Sequence, residues 1–157
     1  MKERIYIDTS VIGGCFDEEF ERWSNKLIEE FVQGIKLIVI SDLTYRELEL
    51  APDYVWGVLN DVSDDYIENI FINIEAENLA EKYLEEKVIS EQYYEDALHI
   101  ALATINKVSA LVSWNFKHIV NLNKIRKYNS VNLKNGYQIL EIRTPREILK
   151  AENDEEQ

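Results

Sequence analysis

Ile35-Lys36-Leu37-Ile38-Val39-Ile40 is too short and too continuously apolar for an exposed helix, and is typical of a strand buried on both faces. Strands of that kind belong to parallel sheets covered by helices on each side. Upstream, Phe20, Trp23, Leu27, Ile28 and Phe31 recur at spacings of three and four until Gly34, which marks an amphipathic helix with a glycine stop. Before it, Arg4-Ile5-Tyr6-Ile7 is a first short strand that ends at Asp8, and Gly13-Gly14 break the chain soon after. Downstream, Ser41 or Asp42 can cap a helix that carries Glu47 and stops before Pro52, and Pro52 suits the first turn of another helix through Leu59. Ile70 to Ile74 alternates like a strand, 75–86 and 90–106 read as helices, and Ala110-Leu111-Val112-Ser113 as a strand. A mixed segment, 117–134, leads to a strand at Gln138-Ile139-Leu140-Glu141-Ile142, and Thr144-Pro145 opens a last short helix. Strands alternating with helices predict an α/β fold with right-handed crossovers.

The chain of 157 residues is long enough for one domain, expected over 1–150, with an acidic tail at 151–157. A hydrophobic share of 46% and 17 aromatic residues exclude a disordered class. Cys15 is the only cysteine, which excludes an intrachain disulfide and a Cys-rich zinc site. No apolar run has signal-peptide or membrane-spanning character, so a soluble, cytoplasmic protein is expected. The net charge of −13 argues on its face against a nucleic-acid partner. Its distribution argues otherwise. Residues 97–140 contain no Asp or Glu, where an even spread would place about eight. They do contain Lys107, Lys117, Lys124, Arg126, Lys127 and Lys134, together with His99 and His118. A phosphate backbone is expected to lie there, against Lys117, Lys124, Arg126 and Lys127.

In a parallel sheet, ligands bind at the C-terminal strand ends, where Asp8 and Asn115 fall. Asp96 heads the apolar run Ala97-Leu98-His99-Ile100-Ala101-Leu102-Ala103, and a carboxylate buried there needs a partner. A hard divalent cation, Mg²⁺ or Mn²⁺, satisfies several carboxylates at once, whereas zinc favours His and Cys. Acids with such a cation suit phosphodiester hydrolysis. Taken singly, each residue also has a structural reading: Asp8 as a helix cap, Glu47 as a solvated helix charge, Glu95 in place of Asp96, and His99 and His118 as supporting or surface groups.

Four blocks together resemble the successive acidic motifs of the PIN-domain family, VapC-like toxins included. They are Ile5-Tyr6-Ile7-Asp8-Thr9-Ser10-Val11-Ile12, Thr44-Tyr45-Arg46-Glu47-Leu48, Asp96 through Ala103, and Leu111-Val112-Ser113-Trp114-Asn115-Phe116-Lys117-His118-Ile119. The closing Glu141-Ile142-Arg143-Thr144-Pro145-Arg146-Glu147 resembles the C-terminal strand and helix of one subgroup. The resemblance implies a three-layer α/β/α sandwich with a central, mostly parallel sheet. It also implies a Mg²⁺- or Mn²⁺-dependent endoribonuclease, the toxin of a type II toxin-antitoxin pair, with a small antitoxin partner and a homodimeric assembly. Asp8, Glu47 and Asp96 then take the metal-ligand positions and Asn115 the fourth catalytic position, usually Asp. Thr9 or Ser10 supports Asp8, and Ser113 faces the same cavity. A neutral fourth corner implies one metal, or a second recruited with substrate. The alternative is a non-catalytic PIN-fold module that binds RNA or protein. An aspartyl phosphotransfer domain has little support, because Ser10 stands where phosphatases of that type need a second Asp.

Overall fold

Among the described residues five strands all run parallel: β1 (Arg4–Ile7), β2 (Leu37–Ser41), β3 (Ile67–Ile70), β4 (Ala110–Val112) and β5 (Ile142–Arg143), side by side as β3-β2-β1-β4-β5. This computed structural model describes residues 1–149; residue 150 and the tail expected at 151–157 lie outside the described residues. Between the strands run α1 (Thr9–Gly13), α2 (Glu21–Val32), α3 (Asp42–Glu49), α4 (Asp53–Trp56), α5 (Ile74–Glu85), α6 (Tyr94–Ile105) and α7 (Leu122–Lys134). No helix among the described residues is long and apolar enough to cross a membrane.

The register explains the two faces. Ile5 pairs with Ile38 and Ala110, while Tyr6 pairs with Val39 and Leu111. Side chains alternate along a strand, so Ile5, Ile7, Ile38, Ile40, Ala110 and Val112 pack on one face with α1 and α2. Tyr6, Val39 and Leu111 pack on the other with α5, α6 and α7. The result is the expected α/β/α sandwich, with the sheet fully rather than mostly parallel. The chain builds outward from β1 through β2 to β3, then returns to the far side of β1 for β4 and β5. That reversal opens a crevice between the C-terminal ends of β1 and β4.

Several boundaries differ from the sequence reading, each for a local reason. β2 starts at Leu37 because Gly34 takes a left-handed conformation (φ +72°) and the amides of Gly34 and Ile35 close α2 onto Phe31 and Glu30. The strand expected at Ile70 to Ile74 lies instead at β3, because Asn73 accepts from the Ala76 amide (2.8 Å) and draws Ile74 into α5. The strand expected from Gln138 shrinks to β5, since Asn129 takes both backbone groups of Leu140 (2.7 and 3.1 Å). The mixed segment hides α7, capped by Asn121 on the Lys124 amide and buried through Tyr128, Val131 and Asn132. Gly13 and Gly14 do not break the helix geometry, for both keep right-handed helical φ values. The last helix is present at 145–149, where Thr144 and Glu147 form a reciprocal capping box (3.0 and 3.1 Å).

Candidate active site

Asp8 follows β1 directly and is 5% exposed. It does cap α1, as its structural reading held: Oδ1 accepts from the Ser10 amide (3.1 Å) and hydroxyl (2.6 Å). Its other oxygen accepts from the Ser113 hydroxyl across the crevice (2.6 Å). Ser10 and Ser113 in turn accept from the amides of Trp114 and Asn115 (both 2.9 Å), so two serines lock the ends of β1 and β4 around one carboxylate. Of the two candidates to support Asp8, Ser10 is the one in contact; Thr9 Oγ1 is buried without a hydrogen-bond partner among the described residues.

Glu47 comes from α3 and Asp96 from the first turn of α6. Glu47 Oε1 lies 2.5 Å from His99 Nε2, and His99 Nδ1 lies 2.6 Å from Tyr6 Oη, which reaches Ser41 Oγ at 2.7 Å. Asn115 accepts the His118 amide through Oδ1 (3.0 Å), so the group it can offer Asp96 is its NH₂, which favours the charged carboxylate.

Electrostatics tie the three acids together. Burial raises Asp8 above the usual carboxylate range, and the Glu47 charge adds to it. Burial, with Asp8 and Glu47 nearby, pushes Asp96 up to about 6. Burial alone would lower His99, but its hydrogen bond to Glu47 and the charges of Glu47, Asp8 and Asp96 outweigh that, and the net shift is upward. The carboxylates around His99 thus favour its charged form.

Asp8 and Asp96 both bind their protons more tightly in the folded chain than in the unfolded one. The stability they contribute is full below an unfolded carboxylate value of about 4 and is lost as pH rises through about 6 for Asp96. Melting of the metal-free protein is therefore expected at lower temperature as pH climbs across that window. Added Mn²⁺ should recover more of it at the alkaline end, where fewer protons must be displaced. Thermal melts across pH with and without Mn²⁺ check this; a melting temperature indifferent to both would contradict it.

Among the described residues, no group of three or more His, Cys, Asp or Glu side chains is already arranged to hold a metal ion. Glu47 points to His99 instead. The donor chemistry nonetheless fits a hard divalent cation: the donors are carboxylate oxygens, they repel one another, and Glu47 Oε2 has no hydrogen-bond partner among the described residues.

The basic residues divide. Lys117 lies two positions beyond Asn115, its ammonium 5.7 Å from the Tyr93 ring, and Arg126 and Lys127 are exposed on α7. Lys124 is drawn aside to the Val88 carbonyl (2.9 Å), into a cleft of about 640 Å³ shared with Glu81, Glu85 and Glu91. Sequence reasoning missed the aromatic surround. Tyr93 lies against His118, tilted, with ring centroids 3.8 Å apart, Phe20 stacks on Trp114 at 4.2 Å, and Phe116 is 51% exposed beside Asn115. It also gave His99 no specific partner, although Asp96-x-x-His99 places both on one helix face.

No protein-family model matches the chain, and no curated protein matches it significantly. Solved structures do. VapBC2 from Rickettsia felis, bound to a DNA fragment from its promoter, is similar with a TM-score of 0.57 and 15% identity over 90% of this chain and 98% of that one. VapC20 from Mycobacterium tuberculosis, a toxin that cleaves the sarcin-ricin loop, is similar with a TM-score of 0.56 and 12% identity over 73% and 92%. A toxin-antitoxin complex from Klebsiella pneumoniae gives 0.55 and 17% over 76% and 93%. At identities this low the shared property is the architecture, and on that ground the chain has the PIN-domain fold of the VapC toxins.

Proposed function

We propose that the chain is a Mg²⁺- or Mn²⁺-dependent endoribonuclease and the toxin of a type II toxin-antitoxin pair. The observation that supports this most is the convergence of Asp8, Glu47 and Asp96 at the β1–β4 crevice, where the Glu47 charge raises Asp8 and the charges of Asp8 and Glu47 raise Asp96. Asp8, Glu47 and Asp96 are the residues that would hold the metal. When bound, it supplies the charge that activates water and neutralises the scissile phosphate. Ser10 and Ser113 hold Asp8 in one orientation, and Asn115 contributes a hydrogen-bond donor to Asp96 rather than a fourth charge. That arrangement favours a single metal.

RNA approaches over the acid-free segment, toward Lys117, Arg126 and Lys127, with Lys124 a lesser contributor because of its bond to Val88. The toxin-antitoxin neighbours support a small antitoxin as partner; a homodimeric assembly and action in the cytoplasm complete the reading. Cleavage of an RNA with Mn²⁺, abolished by chelation, tests the activity. No cleavage of any RNA, and no effect of metal on melting, would favour the second reading, a binding module, which draws on the neutral Asn115 and the net charge of −13.

Neutralising Lys117, Lys124, Arg126 and Lys127 together should weaken RNA binding and flatten its salt dependence, by about 0.7 in log-log slope for each phosphate left without its cationic partner. Filter binding across salt concentrations measures both. Unchanged affinity and slope would refute the placement.

A further inference from the structure

Glu47 is held by a contact outside its own element. It sits on the eight-residue helix α3, is 31% exposed, and makes no hydrogen bond to its own helix. What brings it to the crevice is a neighbour from another helix. His99 is 1% exposed in α6, one turn beyond Asp96, and reaches Glu47 at 2.5 Å. A carboxylate only accepts, so Nε2 carries the hydrogen whatever the charge of the ring. The opposite nitrogen abuts Tyr6 Oη, and Tyr6 is fully buried in the middle of β1. Tyr6 also meets Ser41, the residue whose hydroxyl caps α3 by accepting from the Thr44 amide (3.2 Å). Ser41, Tyr6, His99 and Glu47 therefore form a closed hydrogen-bonded circuit. It starts at the head of α3, crosses β1 and α6, and returns to α3 at Glu47.

We infer that His99, anchored by Tyr6, is a positioning residue that turns Glu47 into the third ligand by fixing Oε1 and leaving Oε2 for the metal. The circuit serves this end because both anchor points are rigid: Tyr6 is fully buried on the central strand β1, which β2 and β4 flank, and His99 lies inside an apolar helix. Without it, Glu47 reverts to an ordinary solvated helix charge with full rotamer freedom. Supporting groups behind metal ligands commonly matter about 10- to 100-fold in affinity. The inference rests on the metal-dependent reading above and adds the residues that make one of its ligands available.

The test is calorimetric titration of Mn²⁺ into the full chain, without RNA, for wild type, His99→Ala, His99→Gln and Tyr6→Phe. His99→Ala should bind Mn²⁺ about 10- to 100-fold more weakly. His99→Gln, whose amide can donate in place of Nε2, should recover most of the loss, and Tyr6→Phe should fall between. A second measurement needs no metal: the Nε2–H resonance of His99 in the NMR spectrum of the metal-free protein should move in Glu47→Gln. Unaltered Mn²⁺ affinity in His99→Ala, with only a lowered melting temperature, overturns the inference alone. So does an equal loss in His99→Ala and His99→Gln as deep as that of Asp96→Asn, which would make His99 itself a ligand. An Nε2–H resonance indifferent to Glu47→Gln overturns the contact. Wild type that takes up no Mn²⁺ while keeping that resonance overturns the metal reading beneath the inference, and the inference with it.

Discussion

Asp96→Asn should reduce Mn²⁺-dependent RNA cleavage by about 10²- to 10³-fold or more, the scale on which a single preorganised charge-stabilising group acts. At the same time it should make the metal-free protein melt at a higher temperature at neutral pH. The two effects have one cause. Asp96 is held among Asp8 and Glu47 in a partly buried setting that pushes it up to about 6, so its charge is carried at neutral pH at a cost in stability. An uncharged amide of the same shape removes that cost together with the metal. Asp8→Asn should abolish cleavage as well, but without the gain, since both oxygens of Asp8 accept from Ser10 and Ser113 and an amide nitrogen cannot. Cleavage rates and metal-free melts on the pair of variants read this out. Asp96→Asn that melts lower than wild type while still cleaving RNA would contradict the assignment.

Gly14→Ala should destabilise the protein by about 1–3 kcal/mol through overpacking and impair cleavage, whereas Gly13→Ala should be neutral or stabilising by up to about 1 kcal/mol. Both glycines have helical backbone angles, so conformational freedom does not distinguish them. Space does. A methyl group on Gly14 would lie 2.5 Å from Ser24 Oγ and 2.8 Å from Trp114 Nε1, while nothing lies within 4 Å of one on Gly13. Ser24 and Trp114 are bonded to each other (2.8 Å) and are fixed in the core, so neither yields cheaply. Displacing Trp114 also pulls on its amide, which donates to Ser10, which in turn holds Asp8. Chemical denaturation with parallel activity measurements separates the two variants. Equal stabilities would show that the aromatic contact carries no strain.

These glycines show how far the sequence could be read. Gly13-Gly14 is the kind of pair that marks a chain break, yet Gly14 is small to admit an indole from a residue 100 positions away, and local pattern carries no trace of that. Buried strands were legible because β1, β2 and β4 are built on short apolar runs, and their placement in the sheet fixed Asp8 and Ser113 at one crevice. The edges were not. β3 and β5 are defined by Asn73 and Asn129, whose side chains compete for backbone groups, and an asparagine in sequence does not show which amide it will bind. The same limit hid α7, in which Asn121, Asn123, Asn129 and Asn132 dilute the helical pattern of Leu122, Ile125, Tyr128 and Val131. At the site, the acids were found by their order along the chain. The role of Asn115 as donor to Asp96, and the partnership of His99 with Glu47, depend on distances between helices that are more than 50 residues apart for the latter pair.

The most direct measurement is anomalous diffraction from crystals of the full chain grown or soaked with Mn²⁺ at neutral pH. One strong anomalous peak is expected in the crevice between the ends of β1 and β4, within coordination distance of oxygens from Asp8, Glu47 and Asp96. No second peak is expected at Asn115, and no peak at all in Asp96→Asn. A crevice that stays empty in Mn²⁺ would contradict the metal assignment.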